Sequence, residues 1–287
     1  MNRALQNQVE AAVEALTHVG FEHCQASVVA DDHDEMNIFQ NQVNLFRTVS
    51  KSELTLKGIV QGRKATRSVT VSNELDLTGL VEGLFEDAQQ APEDRANAVS
   101  EGVVHDYTDG PMESDKDQMS RRIKELFGIR KERHPKVNLN QGVLSHKRKR
   151  TVLASNKGTF LRSDIGWYET FVLVVGQEGQ KLSSMSYTGG TCRELNHPLH
   201  TCFQTEELLS SAAKQIHTES LPSSFRGSAL VNPVTVLELV NYLTGQVSDQ
   251  ALLANASMYV EKVGECIAAN ALTIRHHAKG PGVSPHS

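Results

Sequence analysis

From Val43 to Val71 the chain reads VNLFRTVSKSELTLKGIVQGRKATRSVTV, apolar and polar residues in near-strict alternation, and a few residues later the period changes. Alternation at period two marks strands with one buried face. Leu77, Leu80, Val81, Leu84, Phe85 and Ala88 then recur at helical spacing, with Asp76 ahead of them as an N-cap. A chain that switches period in this way carries an apolar sheet face and an apolar helix stripe, and each must be buried against something. A helix layer on a sheet is the economical solution, so the fold class is α+β. Leu5, Val9, Ala12, Val13 and Leu16 predict a first helix over about Leu5–Val19, and Gly58 and the Gln61-Gly62 step predict breaks between strands. The opening unit is therefore helix, antiparallel sheet, helix.

QQAPEDRANAVSEGVVHDYTDGP has no period and many turn formers, and reads as a linker. Ser114 and Asp117 form the pattern of a capping box for a helix carrying Met119, Ile123, Leu126 and Phe127, with Gly128 as its end. Lys136 to Tyr187 is mostly strand, turned at SNKGTF, and YETFVLVVG is its most apolar stretch. A helix from about Thr205 carries Leu208, Leu209, Ala212 and Ile216. After TESLPSSFRGS comes a short apolar strand. Asn232 as N-cap and Pro233 at N1 then start a helix expected to turn Val236, Leu237, Val240 and Leu243 inward. The expected division is 1–105, an N-terminal α+β domain; 106–222, a β-rich middle domain; and 223–287, the beginning of a third.

A net charge of −5 offers no electrostatic case for general nucleic-acid binding. No apolar run reaches the ~20 residues that span a bilayer, and the N-terminus reads as an amphipathic helix. Cys24, Cys192, Cys202 and Cys266 form no CxxC pair and are expected to be buried thiols in a reducing cytoplasm. Twelve histidines invite zinc chemistry, but none is followed by Glu, so a helical His-Glu metallopeptidase site is excluded. ADDHDE (30–35) packs acids around His33 without ligand spacing and reads as a solvated strand-end loop. SHKRKR (145–150) reads as the exposed end of a hairpin. Gly166, Gly176 and Gly179 frame no nucleophilic serine, Cys192 has no selected histidine, and neither GxGxxG nor a Walker A motif occurs.

Over its full length the layout resembles the TldD/PmbA family, metallopeptidase-related proteins once called modulators of DNA gyrase. The strand–hairpin–helix opening that begins at Val43 and runs to the Pro-acidic linker is similar to the family's. LASNKGTF resembles its Asn-Ser-x-Gly turn, with Ser155 and Asn156 in reversed order and Gly158 kept. The most specific part is FRGSALVNPVTVLELVNYLTG followed by ASMYVEKVGECIAANALTI, similar to the family's strand, Pro, helix and Ser-x6-Gly-Glu-x2-Ala run, here Ser257, Gly264 and Glu265. In the TldD-like arm the helix after the Pro carries a His-Glu-x-x-x-His zinc motif. Here it reads VLELVNYLTG, with Glu238 and no histidine, which assigns the resemblance to the PmbA/TldE-like arm.

That resemblance implies a non-catalytic subunit of a cytoplasmic TldD-type zinc metallopeptidase system acting on peptides and unfolded chains. It implies no catalytic residue, no metal ligand and no cofactor here, with zinc held only by a TldD-like partner. Ser257, Tyr259, Val263, Gly264 and Glu265 are the candidate contacts to that partner. The family's ALTI strand runs on into an Asp-Asp-Pro loop and a further β-rich portion. The place of that loop is taken by RHHAKGPGVSPHS (275–287), whose histidines read as loop residues at a truncation rather than ligands. The rival readings are a stand-alone binding or regulatory protein of the gyrase-modulator type and a non-functional gene fragment.

Overall fold

The structure, a computed structural model, describes residues 2–72, 75–220, 223–224 and 226–275. The tail histidines from His276 on lie outside them. Helix α1 (Asn2–Val19) leads into three antiparallel strands, β1 (His23–Phe39), β2 (Gln42–Val60) and β3 (Arg63–Thr70), and then helix α2 (Leu77–Gln90). Strand β4 (Val104–Asp109) and helix α3 (Lys116–Arg133) follow, then the long hairpin of β5 (Val137–Ser155) and β6 (Phe160–Glu178). After β7 (Lys181–Leu182) and β8 (Ser186–Cys192) come a 3-10 turn at Leu199–Thr201 and helix α4 (Thr205–Lys214). The mix of helices and a mainly antiparallel sheet bears out the α+β class.

The sheet order is β3-β2-β1-β5-β6-β4, with β8 continuing along β6 beyond β4. β1 pairs along its length with β5, so one sheet runs through residues on both sides of position 105. Met1–His217 is one compact unit and Thr218–Ser287 a second.

The even-numbered residues of β1 share a face. Cys24, Ala26, Val28 and Ala30 pack under α1 and α2 with Leu54, Leu56, Val81 and Leu84. Met36 and Ile38, farther along the same face, pack with Met119, Ile123 and Leu126 of α3 and Leu209 and Ala212 of α4. Two helical layers thus lie side by side on one sheet face, and α1, α2 and α4 occupy the places their periodicity predicts. Asp76 does cap α2, accepting from Gly79 N–H at 3.1 Å.

Several local readings are corrected. Gly58 does not break a strand; it sits inside β2 because the Phe21 ring lies 2.4 Å from where its Cβ would be. The stretch read as linker contains β4, which pairs parallel with β6. The N-cap of α3 is Asp115, accepting from Gln118 N–H at 2.8 Å, and not Ser114. Gly128 does not end that helix, which continues to Arg133 because Met119, Ile123 and Leu126 bury its face and Arg130, Lys131 and Arg133 suit its C-terminal dipole. Of the four cysteines only Cys24 is buried, and burial pushes its thiol up.

In the second unit α5 (Pro233–Gln246) starts as read, with Asn232 accepting from Thr235 N–H at 2.8 Å and Pro233 at its first turn. A short α6 (Asp249–Leu253) follows. No strand forms at Ala229–Val231. Val236 and Leu237, expected inward, are exposed, and none of the described residues of this unit is buried. Protection from exchange follows burial, so amides of Val236–Gln246 are expected to exchange far faster than those of Val81–Ala88. Equal protection in a monodisperse monomer would overturn this.

Candidate functional site

Between the two apolar halves of the covered face the alternation continues in phase but turns polar. β1 presents Asp32 and Asp34 where the pattern leads from Ala30 to Met36. β5 presents His146, Arg148 and Arg150 between Leu144 and Val152. β2 adds Ser50 and Thr48 opposite the two aspartates, and β6 adds Asp164, Gly166 and Tyr168 opposite Arg150, Arg148 and His146. A belt of charge therefore crosses four strands. The segment read as a solvated loop at 30–35 lies within β1, and the segment read as an exposed hairpin end lies mid-strand in β5, with His146 and Arg150 only 4% and 5% exposed.

The belt is closed by diagonal pairs, which long side chains reach across neighbouring strands. Arg148 donates Nε and Nη2 to the two oxygens of Asp164 at 2.8 and 2.7 Å, a bidentate fork. That pairing, with lesser help from Asp32 and Glu113, raises the Arg148 guanidinium above its ordinary range against the pull of burial. Arg150 donates to Asp32.

A loop is laid across the belt. Gly110, at φ +76°, turns the chain off β4 and over β6 at Gly166, where Pro111 O lies 1.7 Å from the position of a Cβ. His146 donates from Nε2 to Pro111 O at 2.8 Å, the acceptor fixing the tautomer, and Arg148 Nη1 donates to Met112 O at 3.3 Å. Asp115 N–H donates to Tyr168 Oη at 3.0 Å, which anchors the start of α3.

Sheet, loop and the first turn of α3 leave an open cleft of about 300 Å3 lined by Asp32, His33, Asp34, Thr48, Met112, Glu113, Ser114, Lys116, His146 and Arg148. Thr48 Oγ1 donates to Asp34 Oδ1, and Lys116 Nζ lies 3.5 Å from the same oxygen. Burial works to raise the Asp34 carboxyl, but Thr48, Ser114 and the Lys116 ammonium outweigh it and hold the group below the usual carboxylate range. Lys116 Nζ also stands 5.1 Å from the centroid of the Phe46 ring.

The residues read as partner contacts lie in the second unit, in the turns after α6. Ser257 Oγ accepts from Tyr259 N–H at 2.9 Å, and both residues are half-buried. Val263 is 81% exposed, Gly264 has φ +90°, and Glu265 is exposed. None of them belongs to the cleft. The belt was missed because ADDHDE and SHKRKR were read separately. The signal for it was present: Ala26, Val28, Ala30, Asp32, Asp34, Met36 and Ile38 keep one phase straight through the acids, as do Leu144 to Ala154 through the bases.

Neither a family model nor a curated protein matches this chain. Solved structures do. TldE from Thermococcus kodakarensis is similar at TM-score 0.57 and 15% identity, over 74% of this chain and 47% of its own. A protein described as a modulator of DNA gyrase from Bacteroides thetaiotaomicron is similar at TM-score 0.70 and 13% identity, over 92% of this chain and 62% of its own. Another so described, from Thermotoga maritima, reaches 0.62 at 14% identity, over 92% and 60%. The resemblance read from the sequence is thus borne out as a shared fold, and the chain spans about half to three-fifths of the length of these structures. No helix among the described residues is long and apolar enough to cross a membrane.

Proposed function

We propose that this chain is a PmbA/TldE-like subunit, itself non-catalytic, of a cytoplasmic TldD-type zinc metallopeptidase system that acts on peptides and unfolded chains. One observation carries the reading. The chain has the fold of TldE, while α5, where the resemblance puts the zinc motif of the catalytic arm, carries Glu238 and no histidine. Zinc chemistry at that helix needs two imidazoles as metal ligands and a carboxylate to activate water, and this helix has only the carboxylate. Activity is then borrowed from a TldD-like partner. Ser257, Tyr259, Val263, Gly264 and Glu265 are the proposed contacts, and Val263 leaves an exposed apolar side chain available for one.

The experiment is co-purification with a TldD-like protein of the same organism, followed by peptidase assays. The mixture is expected to cleave an unfolded peptide, and this chain alone to cleave none and to retain no stoichiometric zinc after desalting. About one tightly bound zinc per chain with chelator-sensitive cleavage, or no association and no change in the partner's rate, would sink the reading. A second reading, a stand-alone binding or regulatory protein, is favoured by the two similar structures described as modulators of DNA gyrase. Binding to purified gyrase without any TldD-like protein would select it.

A further inference from the structure

Arg148, which lines the cleft, has its donors taken up, while the buried Arg150 keeps Nε without a hydrogen-bond partner among the described residues. Arg148 spends Nε and Nη2 on Asp164 and Nη1 on the Met112 carbonyl, and Arg150 is engaged by Asp32. Glu113, exposed on the crossing loop, is in no direct ion pair among the described residues and acts on Arg148 only through space. Thr48 and Lys116 both address Asp34 through Oδ1, and Ser114 also helps hold the carboxylate. A carboxylate accepts at about four positions, so Glu113, and to a lesser extent Asp34, offers acceptance that the chain does not fill.

Lys116 shows what kind of group the cleft takes. Its ammonium sits between the Asp34 carboxylate and the face of Phe46, and an anion paired with an aromatic face is the chemistry that recognises an organic cation. Yet the Lys116 side chain is 50% exposed and its contact with Asp34 is long, so a ligand displaces it at little cost. The volume, about 300 Å3, is at the small end of ligand sites, room for one side chain rather than a folded partner.

We propose that this cleft binds the guanidinium or ammonium group of a basic residue in a peptide, through Asp34 and Glu113, in the place Lys116 occupies. The cation chemistry stands on the geometry; the peptide as carrier rests on the proposed function.

The test is calorimetric titration of the full chain with an acetylated, amidated Ala-Arg-Ala peptide and with its citrulline counterpart, which keeps the shape and loses the charge. The arginine peptide is expected to bind at least about tenfold tighter, as loss of a charge-assisted hydrogen bond implies. Lys116→Met, which removes the tethered competitor, should tighten binding, and Asp34→Asn should weaken it about tenfold. Equal binding of the two peptides, or unchanged or weaker binding by Lys116→Met, overturns the proposal, and the latter variant alters an exposed side chain that the fold does not need. Argininamide binding as tightly as the peptide would overturn the peptide as carrier, and calcium chloride displacing the peptide at equal concentration would overturn the organic-cation assignment. Because this chain is titrated alone, failure here leaves the association with a TldD-like protein standing, and the reverse holds as well.

Discussion

Gly166→Ala is expected to destabilise the protein by about 3 kcal/mol, the upper part of the range for overpacking. The added Cβ would meet the Pro111 carbonyl oxygen at 1.7 Å and its carbon at 2.6 Å, and backbone cannot rotate away as a side chain can. The crossing loop must lift, which strips the Pro111 acceptor from His146 and the Met112 acceptor from Arg148. A urea midpoint that falls with the slope unchanged is the readout. Gly128→Ala is the control of opposite sign. It lies inside α3 with nothing within 4 Å of a new Cβ, and alanine there should stabilise by up to ~1 kcal/mol. A Gly166→Ala protein within about 0.5 kcal/mol of the parent, the ordinary scatter of surface changes, would show that the loop does not rest on β6 in solution.

The second large effect is at Asp164. Asp164→Ala leaves the Arg148 guanidinium in the belt without its bidentate acceptor, and removing one partner of a buried pair costs ~3–5 kcal/mol. The side chains of Asp164 and Arg148 are 9% and 23% exposed, which puts the expected loss near the lower end, about 3 kcal/mol. Replacing both, as Asp164→Leu with Arg148→Met, should return most of that loss, since the penalty is for an orphaned charge and not for the missing pair. A double-mutant cycle in which the double variant is as unstable as the sum of the singles would refute the coupling.

Sequence reasoning stopped short of both these sites and succeeded elsewhere. Period and capping located α2 with Asp76 and α5 with Asn232, because a cap is a local event that neighbours in sequence control. The pairing of β1 with β5 is not local. Asp32 and Arg150 are 118 positions apart, and a run of four acids read alone is a solvated surface. Gly58, Gly110 and Gly166 failed as signals for a related reason. At Gly58 and Gly166 the missing Cβ answers a group from elsewhere in the chain, the Phe21 ring or the Pro111 carbonyl, and at Gly110 the turn leads onto β6. The inward reading of Val236 and Leu237 rested on periodicity, which says that a helix has an apolar stripe and not what lies against it. The five residues carried by resemblance lie together in the turns after α6, and co-purification is their test.

The belt also bears on how two strands of seventeen and nineteen residues find one alignment. A slip of one residue would turn the apolar sets outward and is forbidden by the pleat, but a slip of two keeps every side chain on its own face. In the apolar stretches such an error is nearly free, one small hydrophobe replacing another. The charges oppose it strongly in one direction. Shifted that way, Arg150 comes opposite Val28 and Asp34 opposite Leu144; shifted the other, Asp32 and Asp34 still face Arg150 and Arg148, and His146 opposite Met36 is the mismatch. The polar interruption therefore works as a one-way stop on an otherwise repetitive scale, and a chain with an all-apolar belt would gain cohesion while losing the mark that halts sliding in that direction.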